Sequence, residues 1–285
     1  MAREYAAAQA FRKALEERLH TAAETELIEI SRLRRQVAFD RLLARLFRAG
    51  AVPWVLKGGY ALELRFRTAR ATVDIDLTVA RAAAAGDKDT NQAVREMLQD
   101  AASVSLGDWF EYIIGPPILD LDAAPYGGAR FPVEARMDSR VFARFHLDAG
   151  IGDAVIQPVD VVECRDWLSF ASLPAPRVQV ISREQQFAEK VHAYTLPRLS
   201  TNSRVKDLVD LALLTRSAQL NTDRAAEALR VTFARRRTHE LPTILSAPPR
   251  DWQARFQALA EECQIEEDME AAFNGVASFF HMVVL

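Results

Sequence analysis

The spacing of apolar residues divides the chain into three stretches. Up to Gly50 they recur at helical intervals: in ELIEISRLRRQVAFDRLLARLF, Leu33, Val37, Leu42, Leu43 and Leu46 fall near one face, with Gly50 as the stop. From about residue 51 to 180 short apolar runs alternate with turns rich in Gly and Pro. This predicts strands at PWVLK, VDIDLTV, WFEYIIG, RFPVEARM and RVFARFHLDAG, with one helix from Lys88 to Ala102. In the fifth strand Val141, Ala143, Phe145 and Leu147 alternate with Arg144, His146 and Asp148, so one face is apolar and the other ionisable. From Ser182 the helical period returns. SREQ has the spacing of a capping box and precedes an apolar face of Phe187, Val191 and Tyr194. Further helices are expected in RVKDLVDLALLTR, DRAAEALRVTFARR and EDMEAAFNGVASFF. No internal repeat is visible, and the alanine run at Ala82 to Ala85 reads as a loop or helix edge. The expected organisation is therefore N-terminal helices over 1–50, a mixed strand and helix domain over 51–180 and a helical domain over 181–285.

Composition narrows what such a chain can do. With 285 residues and 49% hydrophobic content it can bury a full core. A net charge of -3 provides no global field for nucleic acid, so any polyanion must meet a local patch. Three such patches exist, at Arg32, Arg34 and Arg35, at Arg65, Arg67 and Arg70, and at Arg235 to Arg237; each taken alone reads equally as a solvated helix face. Cys164 and Cys263 lie far apart without a C-x-x-C spacing, which excludes a disulfide framework and a readable zinc site. The N-terminus lacks the apolar core of a signal peptide, and no run of 18 apolar residues occurs, so a cytoplasmic protein without a membrane span is expected.

The chemistry concentrates in VLKGGYALELRFRTARATVDIDL, Val55 to Leu77. A strand ending at Lys57, followed by Gly58 and Gly59 at a helix start, would expose backbone N–H groups with no Cβ to block a phosphate. A plain strand-to-helix turn asks for the same glycines. Fourteen residues separate Gly59 from Asp74, and Asp74 and Asp76 project to one strand face, where a divalent cation would relieve their repulsion. On their own they read equally as two surface aspartates. No G-x-x-x-x-G-K-[ST] loop is present, which disfavours a P-loop kinase, and no Ser-His-Asp or Cys-His spacing stands out.

LKGGYAL, RATVDIDL, REQQFAEKVHAY and RVKDLVDL, in that order, resemble the AbiEii/AbiGii toxin family, which includes MenT-type toxins, within the DNA polymerase β nucleotidyltransferase superfamily. The resemblance covers about residues 50 to 215. It implies an α+β fold, a polymerase-β-like mixed sheet with flanking helices and a C-terminal helical domain. It further implies a nucleotidyltransferase that uses a nucleoside triphosphate and Mg²⁺, with tRNA as acceptor and a cognate antitoxin as partner. Residue by residue, the resemblance makes Asp74 and Asp76 catalytic metal ligands and Lys190 and Asp207 catalytic, with Lys57, Gly58, Gly59, Arg67, Arg70 and Thr72 around the nucleotide. A third metal-binding carboxylate is expected at Asp148, with Asp153 and Asp160 as competitors. Lys190 reads alternatively as a surface lysine, Asp210 as a helix partner of Lys206, and His192 as a packed neighbour of the lysine helix. Two rival readings are a catalytically weak nucleotide-binding regulator with a protein partner and an interaction module without a nucleotide site.

Overall fold

The computed structural model describes residues 5–80, 90–121, 124–197, 204–217 and 219–285, so the alanine run at Ala82 to Ala85 and the expected start at Lys88 lie outside the described residues. The chain forms two compact units: unit one comprises residues 1–60, 71–152 and 161–180, and unit two residues 61–70, 153–160 and 181–285.

Unit one begins with α1 (Ala8–Glu26), which buries Phe11, Leu15 and Leu19 at four-residue spacing, and α2 (Ile30–Leu46), which buries the expected Leu33, Val37, Leu42, Leu43 and Leu46. The helix expected to run on from Glu26 breaks at Leu27, which caps α1 in the left-handed region at φ 55. The sheet contains β1 (Trp54–Lys57), β2 (Asp74–Val79), β3 (Glu111–Ile114), β4 (Leu119–Asp120), β5 (Gly128–Met137), β6 (Arg140–Ile151), β7 (Asp160–Glu163) and β8 (Arg177–Val180). Its order is β3-β5-β6-β2-β1-β8-β7, with β4 beside β5. The β1/β2 and β5/β6 pairs are antiparallel and the β1/β8 and β2/β6 pairs parallel, a mixed sheet as expected. Helix α3 (Gly58–Arg65) starts directly at the end of β1 and runs on into unit two, and α4 (Thr90–Ala102) packs on β3 and β5. Gln99 on α4 binds Ile114 N and Tyr112 O, so its amide satisfies backbone groups of β3 that a further strand would otherwise take. Arg41 and Arg45 on α2 grip the buried Asp108 at 2.7 and 2.6 Å and thereby fix the loop after α4.

Unit two is helical: α5 (Arg183–Thr195), α6 (Val205–Ser217), α7 (Thr222–Arg236), α8 (Gln253–Glu262) and α9 (Met269–Val284). They enclose a core that includes Leu62, Phe187, Val191, Leu208, Leu229, Phe256 and Phe280. Only half of the expected capping box at Ser182 forms. Ser182 Oγ accepts from Gln185 N at 3.2 Å, but the Gln185 amide turns to Ile156 N and Ala154 O, whose otherwise buried backbone groups need it. Strands β4, β7 and β8 and helix α8 were not predicted. The strands span four residues or fewer, and α8 buries only Phe256 and Ala260, too little pattern for either period to show. Among the described residues, no helix is long and apolar enough to cross a membrane.

Candidate active site

Strand register brings the charged residues of unit one together. Lys57, Asp76, Asp148 and Arg130 are successive Cα partners across β1, β2, β6 and β5. Partners in register share a sheet face, so the row reads cation, anion, anion, cation. Asp74 lies two residues along the same face and pairs with His146. Arg130 lays its guanidinium on Asp148, Nε to Oδ1 and Nη2 to Oδ2, both at 2.7 Å, and Nη2 also reaches Asp74 Oδ2 at 3.3 Å. The hydrogen bonds Arg130 donates to Asp148, ahead of an opposing effect of burial, push its guanidinium further above the usual arginine range, so it remains a cation at every working pH. Thr72 Oγ1 donates to Asp74 Oδ1 at 3.1 Å, and Arg35 on α2 holds the Thr72 carbonyl at 3.0 Å. The approach to β2 is therefore anchored just before its first aspartate.

Gly58 begins α3 as expected, but the requirement for glycine comes from two sides. Its φ is +71°, and a Cβ there would lie 1.9 Å from Asp76 Oδ2. The carboxylate of Asp76 thus packs against the bare Cα at the first residue of α3, whose first turn contains no acidic side chain of its own.

Asp74 and Asp76 offer hard oxygen donors two residues apart on one strand face, which fits a divalent cation of the Mg²⁺ type. The third expected ligand is differently placed, because both oxygens of Asp148 face Arg130. Among the described residues, no three His, Cys, Asp or Glu side chains converge on a preformed cage. Of the three aspartates considered for this position, Asp148 is the one beside Asp76 in the sheet. Asp153 and Asp160 belong to unit two, where Arg236 and Arg65 pair with them at 3.1 and 2.7 Å.

Unit two gathers the other predicted residues into a second cluster. Lys190 Nζ bridges Asp207 Oδ1 at 3.0 Å and Asp210 Oδ2 at 2.6 Å; Arg70 grips Asp210 through Nε and Nη2, both at 2.9 Å, and Arg204 holds Asp207 at 3.1 Å. The surface alternative for Lys190 is thereby overturned, since only 14% of its side chain is exposed and two carboxylates hold it. Burial alone would lower its pKa, but Asp210 and Asp207 outweigh it and push the ammonium above its ordinary value. Asp210 does not rely on Lys206 as a helix partner, because Lys190 and Arg70 already flank it; burial would raise its pKa, and these two cations hold it below the usual carboxylate range.

The basic patches separate on the same grounds. Arg65, with 3% of its side chain exposed, binds Asp160, Gln186 and the Ile181 carbonyl, so the reading that it contacts phosphate is corrected to an internal tie. Arg34 is spent on Glu16, whereas Arg67 is exposed. His192 is buried, as expected, with Nε2 2.8 Å from Thr238 Oγ1; burial and then Arg236 drive its pKa down to about 3, so it stays neutral.

Arg130 is the member of the site that the sequence reading missed. The two-residue turn at Asp138 and Ser139 pairs Met137 with Arg140, and counting back in strict register would set Arg130 opposite Leu147, on the other face. A bulge between Ala135 and Arg136 shifts the pairing by one and brings Arg130 opposite Asp148. A cavity of about 850 Å³ in unit one, lined among others by Tyr5, Trp109, Tyr112 and Asp138, contains none of the predicted site residues.

A family model described as nucleotidyl transferase AbiEii toxin, type IV TA system, matches residues 41–276. MenT4, a nucleotidyltransferase toxin from Mycobacterium tuberculosis H37Rv, aligns over 91% of this chain and 93% of its own at 15% identity, with a TM-score of 0.57, and so shares the fold. A structure from H. pylori, solved as a proposed nucleotidyltransferase, aligns over 90% of this chain and 96% of its own at 15% identity, with a TM-score of 0.48. No curated protein sequence matches the chain.

Proposed function

Because this chain belongs to the AbiEii family of nucleotidyltransferase toxins from type IV toxin–antitoxin systems, we propose that it transfers a nucleoside monophosphate from a nucleoside triphosphate to RNA, the acceptor being the 3′ end of tRNA. Family membership itself implies a triphosphate substrate, generally with Mg²⁺, and an antitoxin partner. The observation that supports metal-assisted nucleotidyl transfer is the acidic row on the sheet, with Asp74 and Asp76 on β2, Asp148 in register on β6, and the glycine-started helix α3 beside Asp76, while the tRNA acceptor rests on the family resemblance alone.

In the proposed reaction an acceptor hydroxyl oxygen attacks the α-phosphorus, the bond from that phosphorus to the β-phosphate oxygen breaks, and pyrophosphate leaves with the bonding pair. When bound, Mg²⁺ would supply charge neutralisation on the phosphate oxygens, and Asp74 and Asp76, joined by Asp148, are the residues that would hold it. Asp148 would receive the hydroxyl proton, and Arg130 fixes the plane of its carboxylate. The Gly58 and Gly59 backbone, with Lys57 and Thr72, would orient the triphosphate, most of the rate coming from positioning and preorganised charge. Within unit two Lys190 is oriented by Asp207 and Asp210, and it is the family resemblance that gives this ammonium a role toward the triphosphate; Arg70, already committed to Asp210, would act by holding that carboxylate.

The test incubates the purified chain with each labelled triphosphate, Mg²⁺ and total tRNA, and measures label in RNA and pyrophosphate released. Label should enter RNA with the parent and not with folded Asp74→Ala or Asp76→Ala. Triphosphate binding without transfer would establish the regulatory nucleotide-binding reading instead, and no Mg²⁺-dependent binding at all would leave an interaction module.

A further inference from the structure

Three carboxylates on one sheet face invite a divalent cation, yet two of them already share a cation that belongs to the protein. Arg130 takes both oxygens of Asp148 at 2.7 Å and extends Nη2 to Asp74 Oδ2 at 3.3 Å. The contact is built into the fold, since the bulge between Ala135 and Arg136 is what places Arg130 opposite Asp148. The guanidinium is also accessible enough to adjust, with 30% of its side chain exposed, while Asp148 is nearly covered at 12%. By contrast, the other oxygen of Asp74 is held by the neutral hydroxyl of Thr72.

We infer that Arg130 is a positioning residue that competes with the divalent cation for Asp74 and Asp148, keeping the aspartates a weak cation site until a triphosphate adds its own negative charge. The inference rests on the metal reading of Asp74, Asp76 and Asp148 given above. Asp74 and Asp148, which would help to hold the cation, already give oxygens to Arg130 Nη2, so a cation held there would have to tolerate the charge of the guanidinium. That repulsion is large even where water screens it: a single positive charge about 5 Å from a dication weakens the latter's binding by about tenfold at aqueous dielectric. A bound triphosphate would reverse the balance, because its negative charge would offset the guanidinium. The cation is then retained as a triphosphate complex rather than on the protein alone.

Mn²⁺ titration of the full chain without nucleotide, followed by the electron paramagnetic resonance signal of the free ion, tests this directly. Arg130→Gln should bind Mn²⁺ about tenfold more tightly than the parent, and Arg130→Lys, which keeps the charge, should stay within about threefold of it. With saturating triphosphate the difference between parent and Arg130→Gln should shrink. A residue that only braces the strand would move affinity the other way, so unchanged or weaker Mn²⁺ binding in folded Arg130→Gln overturns the inference, as does failure of that variant to fold. Asp74→Asn in the parent background separates the two readings: if Mn²⁺ binding does not depend on Asp74, the metal assignment itself falls and the competition with it.

Discussion

Replacing Asp210 with alanine removes the carboxylate shared by two buried cations, and its consequence follows from the geometry. Arg70 and Lys190 have 12% and 14% of their side chains exposed, and Asp210 has 2%. Without Asp210, Arg70 loses both of its 2.9 Å hydrogen bonds, and Lys190 retains only Asp207. Stranding a buried charge in this way costs about 3–5 kcal/mol. Lys190→Met is milder, because Asp210 keeps the Arg70 fork, Asp207 keeps Arg204, and methionine fills most of the lysine stem. The loss of a charge-assisted hydrogen bond sets that cost at about 1.5–3 kcal/mol. Urea unfolding followed by circular dichroism, with the slope held common, should therefore rank parent above Lys190→Met above Asp210→Ala. Nucleotidyl transfer should be lost in Lys190→Met at urea concentrations where the variant is fully folded. An Asp210→Ala variant within about 1 kcal/mol of the parent would refute the buried-network argument, and a folded Lys190→Met with parental turnover would refute the role given to the ammonium.

Three further outcomes are expected. Asp40 is buried and accepts from Tyr60 at 2.5 Å and Trp167 at 2.8 Å, and burial raises its pKa from 3.8 to about 6 against the pull of those hydrogen bonds. The folded state therefore holds its proton more tightly, so stability should fall by roughly 3 kcal/mol as pH rises between those two values, relative to an Asp40→Asn variant without this titration; parallel pH profiles for the two chains would rule it out. Gly58→Ala should force a left-handed alanine, at about 1–2 kcal/mol, and displace the Asp76 carboxylate, abolishing transfer; a calorimetric midpoint and turnover equal to the parent's would contradict the close approach. Arg67 is exposed and free of the Asp210 commitment that holds Arg70, so Arg67→Gln should lower the slope of tRNA affinity against salt by about one, measured by filter binding over a salt series.

The placement of much of the candidate site was legible because local pattern determines it. The parity of Asp74 and Asp76 on a strand, the glycines at the start of a helix and the motif around Lys190 each depend on neighbours within a few residues, and the structure places them on the expected elements. What stayed hidden depends on pairing at a distance. Arg130 reaches Asp148 only through a bulge that no composition marks, and the fate of Arg65 and Arg70 was decided by Asp160 and Asp210, far along the chain. An arginine cluster in sequence looks basic whether its charges are free or answered, and only tertiary partners distinguish the two. Gln185 shows the same limit, with a residue expected to close its own helix cap recruited by the backbone at Ala154 and Ile156.

The chain passes between its two units five times, after residues 60, 70, 152, 160 and 180, so no single cut along the gene separates them. A frameshift or stop codon near residue 180 would delete the helices of unit two but leave Leu62, Ala69 and Ile156 in the surviving product, stripped of the core partners that cover them. Such a fragment would carry sticky, unsatisfied surface and be a target for proteolysis rather than a half-strength enzyme. For a protein whose family is defined by toxicity, inheritance should accordingly be close to binary: late truncations spare the host as completely as early ones, and lineages that survive without an antitoxin should carry lesions spread along the whole reading frame rather than crowded into the aspartate codons.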